Sequence, residues 1–231
     1  MRTEEVIEIL SQNVFLHMDM IDSLQKGMAD ILSASEQGVL LYNRPGECYM
    51  ISSEHESEAD KLIDLITAAD VITVHQDFYR EKLQNKFALK QRMDCLHALY
   101  LSKQLLVLSS DIEIRQLDSS HIPVIVTHYK QIPDETYIRN RMQGGMYGAF
   151  YDSQLAGFIG THAEGSMGML VVLPEFRRRG IATALESYMI NRVLAQGFIP
   201  YAQITLENTA SLALQQKLNL TLSQQVITWL Y

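Results

Sequence analysis

The sequence predicts a protein of the mixed α/β class whose two halves repeat the same order of elements. Short apolar runs rich in β-branched and aromatic residues alternate with stretches in which apolar residues recur every three to four positions. In each half, three strands are followed by a helix, a strand, a second helix and a last strand. We therefore expect two domains, residues 1–108 and 109–231. The alternative is an ordinary α+β chain that can be divided in this way by chance.

The first half opens with a helical pattern and continues with short strands. Apolar side chains between Val6 and Leu24 have helical spacing and end at Gly27, which predicts a helix or a helix pair over residues 3–26. The period then changes to that of strands, which Glu-Gln-Gly and Asn-Arg-Pro-Gly turns separate. The predicted elements are strands at 29–33, 38–43 and 47–52, a helix at 57–68, a strand at 71–74, a helix at 77–86 and a strand at 94–101.

The second half starts with a strand and two helical stretches, which Pro133 separates. Asp152 and Ser153 fall between two strand-like runs and predict a tight hairpin. A long helix is expected to end at Gly197. The predicted elements are a strand at 112–117, helices at 119–130 and 134–143, strands at 146–151, 154–163 and 167–173, a helix at 179–196, a strand at 199–206, a helix at 209–217 and a strand at 223–230.

Composition and charge limit the classes of function. The 231 residues are 47% hydrophobic and 20% charged, as in an ordinary globular protein, and carry a formal net charge of -8. Binding to a nucleic-acid backbone needs an electropositive face, so we expect no nucleic-acid partner. No apolar run approaches the ~20 residues needed to cross a bilayer, and the acidic N-terminus does not resemble a signal peptide. We therefore expect a cytoplasmic protein without a membrane partner.

The two cysteines, Cys48 and Cys95, stand in alternating apolar surroundings and lack the CxxC spacing of a zinc or redox site. We expect both to be buried thiols and predict no metal site. A catalytic thiol is the alternative.

The strongest signal for function is a basic turn between an apolar strand and a helix. Leu170 to Leu173 are apolar, Pro174 ends the strand, and the sequence Arg-Arg-Arg-Gly-Ile-Ala-Thr over residues 177–183 leads into the helix. Such a turn directs unpaired backbone N–H groups and the positive end of the helix dipole at one place, which suits a pyrophosphate. Gly180 lets a phosphate approach the backbone, and the arginines can add charge-assisted hydrogen bonds. A solvated basic loop is the alternative interpretation.

Residues 164–220 resemble the acyl-CoA-binding core of the GNAT N-acyltransferase superfamily, and residues 111–231 have the element order of that family. Two motifs carry the resemblance. Residues 177–182 fit the family's phosphate turn, Arg/Gln-x-x-Gly-x-Gly/Ala, and Asn208, Ser211, Leu214, Lys217 and Leu218 fit the later helix of the family. The resemblance implies tandem GNAT-like halves, each a mixed, mostly antiparallel sheet flanked by helices, with a degenerate first half.

The resemblance also implies an N-acetyltransferase or other N-acyltransferase with acetyl-CoA or another acyl-CoA as co-substrate and an amine of a small molecule or peptide as acceptor. In the family, the strand before the turn pairs its backbone with the pantetheine arm. Asn208 would bond the cofactor, cap its own helix, or do both. The implied cofactor-binding residues are Val171, Val172, Leu173, Arg177, Arg178, Arg179, Gly180, Ile181, Ala182, Thr183, Asn208 and Ser211.

The sequence departs from the family at the chemistry. Many members protonate the departing thiolate with a tyrosine, and this position is Gln215 here. An amide can donate a hydrogen bond but has no useful proton to give, so another group would supply the proton or the thiolate would leave without it. The amine also needs a base before it can attack the thioester. Glu164 is the first candidate for a catalytic residue of this kind, and Glu207 and His162 are the alternatives.

The acceptor site is expected to be lined by the segment from Lys130 to Tyr137 and by the hairpin near Tyr151. The negative net charge favours a cationic acceptor through electrostatic steering. The same charge disfavours transfer from an aminoacyl-tRNA, which some tandem GNAT-like proteins perform.

The first half has no phosphate turn, because His55-Glu56-Ser57-Glu58 puts acids where a phosphate needs donors. By analogy with tandem GNAT-like proteins, it would pack against the second half, help to close the acceptor cleft, or take a surface that other members use for dimerisation. Assembly as a homodimer is left open. The competing function is a catalytically silent CoA-binding sensor or interaction protein, which Gln215 in place of the tyrosine favours.

Overall fold

The computed structural model describes all 231 residues and contains every helix and strand that the sequence predicts. The helices are α1 (Thr3–Ser11), α2 (Val14–Gln25), α3 (Glu56–Leu65), α4 (Arg80–Phe87), α5 (Ile122–His128), α6 (Glu135–Gln143), α7 (Ile181–Ala195) and α8 (Thr209–Lys217). The strands are β1 (Ala29–Ser35), β2 (Gly38–Asn43), β3 (Cys48–Ser53), β4 (Ile72–Val74), β5 (Arg92–Leu99), β6 (Glu113–Gln116), β7 (Tyr147–Tyr151), β8 (Gln154–Thr161), β9 (Met167–Val172), β10 (Tyr201–Thr205) and β11 (Thr221–Leu230). None of the helices has the length and apolar character needed to span a membrane.

The first predicted helix is a pair, because the chain breaks between α1 and α2. Asn13 precedes α2, and its Oδ1 accepts a hydrogen bond from the N–H of Leu16 at 3.3 Å. This is the standard N-cap arrangement, in which a side chain satisfies an N–H group that the helix itself leaves unpaired. Elsewhere the predicted and observed ends of elements differ by at most three residues.

The chain forms two compact units. The first contains residues 1–99, 203–212 and 222–231, and the second contains residues 100–202 and 213–221. Their main break lies close to the predicted boundary between residues 108 and 109. The C-terminal segments, however, are divided between the units: β11 belongs to the first apart from Thr221, and the boundary cuts α8 after Leu212. The compact units therefore do not coincide with the two predicted domains.

The first unit is built on a mixed, mostly antiparallel sheet with the strand order β1-β2-β3-β4-β11-β5. Pairing is antiparallel at β1/β2, β2/β3 and β4/β11 and parallel at β3/β4. Residues 228–230 of β11 pair with residues 72–74 of β4, and Thr228 Oγ1 donates to Asp94 of β5 at 2.8 Å. The last strand in chain order thus completes the sheet of the first unit.

The core of the first unit contains a buried ion pair. His75 Nε2 lies 2.9 Å from Asp19 Oδ1, and His97 Nε2 lies 3.9 Å from the same oxygen. Burial raises the pKa of Asp19, but the two histidines lower it more, to about 2. Burial likewise lowers the pKa of His75, but Asp19 raises it more, and the net shift is upward. Cys48 and Cys95 are buried in this unit, as predicted.

The sheet of the second unit has the order β10-β9-β8-β7-β6, where β10 contributes its first residues. Pairing is antiparallel from β6 to β9 and parallel between β9 and β10. Asp152 and Ser153 have φ angles of 48° and 64° and form the predicted tight hairpin between β7 and β8.

Helices cover both faces of the sheet in the second unit. Ile181 of α7 lies against Gly157 of β8, whereas the next residue, Phe158, packs in an apolar cluster with α5 and α6. Because successive residues of a strand face opposite sides, α7 and the α5–α6 pair lie on opposite faces. The apolar cluster contains Leu117, Ile122, Ile125, Tyr129, Ile138, Met146, Phe150, Phe158 and Met169.

Candidate functional site

Strand β9 leaves its neighbour β10 soon after it begins. The parallel pairing consists of Met167 with Ala202, and no further pair joins residues 168–172 to β10. On its other side β9 stays paired with β8, from Met167 opposite Thr161 to Val172 opposite Gly157. Residues 168–172 therefore present a free strand edge on the side of β10, and such an edge can pair with an extended ligand.

A β-bulge reshapes β9 at this point. Residues 169 and 170 lie opposite the single residue Ile159 of β8, and Met169 has a φ angle of 53°, which is rare for a residue with a side chain. The buried side chain of Met169 packs in the apolar cluster below α5 and α6, which holds this conformation. A bulge increases the local twist of a strand. The bulge lies just after Met167, the residue at which the pairing of β9 with β10 ends.

The turn between β9 and α7 combines 3₁₀ helix with two left-handed residues. Residues 174–176 form the 3₁₀ turn, and Arg178 and Gly180 have φ angles of 64° and 81°. Gly180 is the N-cap residue of α7, and a Cβ at this position would have no neighbour within 4 Å. Glycine thus permits the backbone conformation and leaves the space beside the helix terminus open.

The start of α7 presents a run of unpaired N–H groups. The N–H groups of residues 178–183 meet no acceptor within the chain, and no side chain caps the helix. Ile181 is buried and anchors the first turn on the sheet, while Ala182 and Thr183 are half-buried. The helix dipole adds a partial positive charge at the same place. The predicted phosphate turn therefore has the geometry of an anion-binding helix terminus.

Four cations surround this terminus. Arg177, Arg178 and Arg179 are exposed, and none of them forms an ion pair with a carboxylate of the chain. Arg179 lies over the rings of two aromatic residues, Tyr151 and Phe176, with its Cζ 5.1 and 5.9 Å from the ring centroids. Lys217, which belongs to the second predicted motif, donates to Thr183 Oγ1 at 3.1 Å. The second motif thus brings a further positive charge to the first turn of α7.

Gln215, the residue at the position of the family's tyrosine, is buried against α7. Its Nε2 donates to Glu186 Oε1 at 3.2 Å, and its Oε1 has no partner. Glu186 is 2% exposed, and burial raises its pKa to about 7, although the bond from Gln215 lowers it in part. Because Gln215 is itself only 1% exposed, a larger side chain there would have to displace its neighbours.

Polar side chains cluster where α6 meets the loop between β8 and β9. Tyr137 Oη lies 3.0 Å from His162 Nδ1, and Arg141 Nη1 donates to the carbonyl oxygen of His162 at 3.3 Å. Glu164 is 8% exposed, and its Oε1 accepts a hydrogen bond from Ser166 Oγ at 2.5 Å. Burial and the nearby Glu164 raise the pKa of Tyr137 well above its usual value. Two of the three candidate bases, Glu164 and His162, therefore lie together in the second unit.

Glu207, Asn208 and Ser211 lie in the first unit. Asn208 Oδ1 accepts a hydrogen bond from the N–H of Ser211 at 3.1 Å, which confirms that Asn208 caps the helix that follows it. Glu207 is exposed. The binding of a cofactor by Asn208 and Ser211 stays a prediction.

Comparison with known proteins identifies the fold. Residues 145–230 match the family model described as FR47-like protein, a GNAT-related domain. The X-ray structure of a Drosophila protein has a TM-score of 0.70 at 17% identity, and the match covers 100% of this chain and 96% of that one. A putative acetyltransferase of the GNAT family from Novosphingobium aromaticivorans has a TM-score of 0.57 at 16% identity, with coverage of 92% and 94%.

A tandem GNAT protein from the clavulanic acid biosynthesis pathway is similar as well, with a TM-score of 0.51 at 12% identity and coverage of 99% of this chain and 95% of that one. A sequence comparison with curated proteins gives no significant match. The chain has the fold of the GNAT superfamily, with a mixed α/β architecture of two GNAT-like halves in tandem. This confirms the fold that the two motifs predicted.

Three features of the site were not predicted from the sequence. They are the bulge at Met169, the contact between Tyr137 and His162, and the buried carboxyl of Glu186. Tyr137 stands at the end of the segment predicted to line the acceptor site, but its partner is 25 residues away in the chain. Glu186 stands in the run Ile-Ala-Thr-Ala-Leu-Glu-Ser-Tyr-Met-Ile, and these mainly apolar neighbours are the signal that could have indicated its burial.

Proposed function

We propose that the chain is an N-acyltransferase that transfers an acetyl or other acyl group from acyl-CoA to an amine of a small molecule or peptide. One observation supports it above all: the free strand edge of residues 168–172 leads, through a short turn, to the unpaired N–H groups of residues 178–183. Acyl-CoA carries its thioester on an amide-containing arm that ends in a pyrophosphate. These two parts fit the strand edge and the helix terminus in that order.

In this proposal the pyrophosphate binds the N–H groups of residues 178–183, and the three arginines of the turn add charge. The pantetheine arm pairs with the free edge of β9. The N–H of Leu173 donates to Ala156 of β8 at 2.9 Å, and backbone groups alternate in direction along a strand. The backbone N–H and C=O groups of Leu170 and Val172 therefore point to the free edge and can bond the arm. Those of Val171 and Leu173 point to β8, so these two residues would contact the arm through atoms other than these groups.

Glu164 is the proposed base for the amine. Its carboxylate lies in the loop that leads into β9, close to Tyr137, and a carboxylate can take a proton from an amine directly or through water. The formal net charge of -8 favours an acceptor that arrives as a cation and loses a proton in the site.

Isothermal titration of the full chain with CoA tests the binding site. Gly180→Glu places a carboxylate at the helix terminus, and we expect no detectable binding. Gly197→Glu is the matched control, because Gly197 follows the other end of α7 with a φ angle of 84° and also has no neighbour within 4 Å. Both variants carry a similar backbone strain, but only the first changes the proposed site. Equal CoA affinity in the two variants would contradict the assignment.

Release of free thiol from acetyl-CoA in the presence of a panel of amines tests the transfer itself. Mass spectrometry of the acceptor should show the new amide. The burial of Gln215, which leaves no hydroxyl acid at that position, favours the second candidate, a silent CoA-binding protein. A chain that binds CoA but releases no thiol above the buffer rate with any amine would be such a protein.

A further inference from the structure

We propose that His162 donates a hydrogen bond from Nε2 to the carbonyl oxygen of the acyl group, and that Tyr137 fixes the imidazole tautomer that allows this. The inference rests on the proposed function, because it needs an acyl thioester beside β9. In this arrangement His162 is a hydrogen-bond donor and not the base, and Glu164 is the base.

The ring of His162 covers the first residue of the free strand edge. Met167 is still paired with β10, and Gly168 is the next residue. A Cβ at Gly168 would lie 2.5 Å from Cδ2 of His162 and closer still to Nε2. The edge of the ring that carries Nε2 therefore rests on the backbone of β9, at the point where β9 and β10 separate. Only glycine at position 168 leaves room for it.

The hydrogen bond of Tyr137 decides which ring nitrogen carries the proton. The hydroxyl of Tyr137 lies 3.0 Å from Nδ1 of His162. Burial and Glu164 raise the pKa of the phenol, so the hydroxyl keeps its proton and can donate it. Nδ1 of His162 is its one acceptor in the chain. Nδ1 therefore accepts, and the single proton of the neutral ring is on Nε2.

Nε2 of His162 has no hydrogen-bond partner in the chain and is not sealed in the core. The side chain as a whole is half-buried. The imidazole is held at Nδ1, and Nε2 lies on the face of β9 over Gly168, where the free edge begins, with no acceptor in the chain. This N–H group is therefore available to a ligand that occupies the adjoining edge.

The chemistry of acyl transfer needs such a donor. The amine nitrogen forms a bond to the thioester carbon, and the π electrons of the C=O group move to the oxygen. An N–H directed at this oxygen stabilises the new negative charge more than it stabilises the neutral carbonyl, which lowers the barrier. The electron pair then returns, the C–S bond breaks, and the thiolate leaves and takes a proton from solvent. Glu164 takes one proton from the cationic amine before the attack and passes it to solvent, and it takes the second proton from the nitrogen after the new bond has formed. His162 keeps its own proton throughout.

Nitrogen-15 NMR of the full chain tests the tautomer without any turnover. The signals of His162 among the seven histidines are those that His162→Gln removes. We expect Nδ1 to have the chemical shift of an acceptor nitrogen and Nε2 that of a protonated one, and we expect Tyr137→Phe to mix the two tautomers. Tyr129→Phe is the control, because this buried tyrosine lies with its ring 6.4 Å from that of His162 but has its hydroxyl on Gln131. A proton on Nδ1 in the wild type would overturn the inference.

Steady-state kinetics with the best amine then tests the donor. His162→Leu removes the N–H group, and we expect kcat to fall by roughly 10²–10³ while CoA affinity changes little. His162→Gln keeps an N–H group near the position of Nε2 but has no basic nitrogen. We expect the kcat of His162→Gln to be at least about tenfold higher than that of His162→Leu. The reason is that His162→Gln keeps a hydrogen-bond donor, and loss of the donor causes most of the fall in His162→Leu. If His162 were instead the base, both variants would lose it, and their kcat values would be equally low.

The outcomes separate this inference from the proposed function. If the wild-type chain transfers an acyl group and the two His162 variants are equally slow, the donor role is refuted and the proposed function stands. CoA titration of both variants shows in that case that the co-substrate still binds. If no amine accepts an acyl group from the wild-type chain, both proposals fail.

Discussion

The substitution Glu186→Gln should make the protein more stable above neutral pH and leave it little changed in mild acid. The carboxyl of Glu186 is buried in α7, and its hydrogen-bond partner is the amide of Gln215. Burial disfavours the ionised form, which raises the pKa from 4.5 to about 7 despite the bond from Gln215. Glutamine has the same shape, can bond Gln215 and never ionises.

The magnitude follows from the linkage between proton binding and folding. Between pH 4.5 and about 7, the folded chain keeps a proton on Glu186 that the unfolded chain has released. The free energy of unfolding therefore falls as the pH rises through this window, by about 1.4 kcal/mol per pH unit and roughly 3 kcal/mol in all. Above about pH 7 the full reduction in the free energy of unfolding is present, and it no longer grows with pH. The glutamine variant has no such loss.

Scanning calorimetry of both chains at pH 5 and pH 8 measures the difference. We expect the advantage of Glu186→Gln to grow by about 2–3 kcal/mol between the two pH values, which corresponds to roughly 5–10 °C in Tm for a chain of this size. Glu175→Gln, at an exposed position of the same unit, is the control and should show no growth. An advantage that is the same at both pH values would refute the idea that Glu186 is buried with its proton.

Three further predictions concern two buried side chains and the glycine below the ring of His162. Asp19→Asn should destabilise the chain by about 3–5 kcal/mol in urea unfolding, because it leaves the charge of His75 buried without its partner. This loss of stability should be largest between about pH 4 and 6.5. In stronger acid Asp19 is protonated despite its lowered pKa, and at higher pH His75 loses its proton despite its raised pKa, so the ion pair exists only between these limits. A loss that does not change with pH would show that the pair is not ionised. Gln215→Tyr should lower stability by about 1–3 kcal/mol, and a Tm at or above that of the wild type would mean that the site has room for the ring. Gly168→Ala should displace the ring of His162 and lower kcat with CoA affinity retained, whereas an unchanged kcat would argue that this ring does not act on the acyl group.

The secondary structure could be predicted well because it depends on local patterns. The hairpin at Asp152 and Ser153 and the helix end at Gly197 are coded by residues that tolerate left-handed backbone, and both are present. The phosphate turn is local in the same sense, since strand, turn and helix terminus follow one another in the chain. The pairing of β11 with β4 could not be predicted, because no local sequence pattern in either strand indicates a partner that is far away in the chain.

The chemistry of the site was less predictable for the same reason. His162 and Glu164 were recognisable as candidate bases by residue type, but the contact of His162 with Tyr137 and with Gly168 depends on how α6 and β9 pack. The bulge requires a left-handed backbone conformation at position 169, where the sequence has methionine and not glycine. Tertiary packing holds Met169 in this conformation, and no local rule would have chosen it.

The position of β11 bears on how the protein is made in the cell. A ribosome releases β1 to β5 early, but the strand that lies between β4 and β5 comes only with residues 221–230. At 5–20 residues per second, synthesis of residues 100–230 takes roughly 7–26 seconds. Throughout this time residues 72–74 lack their native partner on that side, and an unpaired strand edge can join other chains. The unit that is synthesised first is therefore completed last.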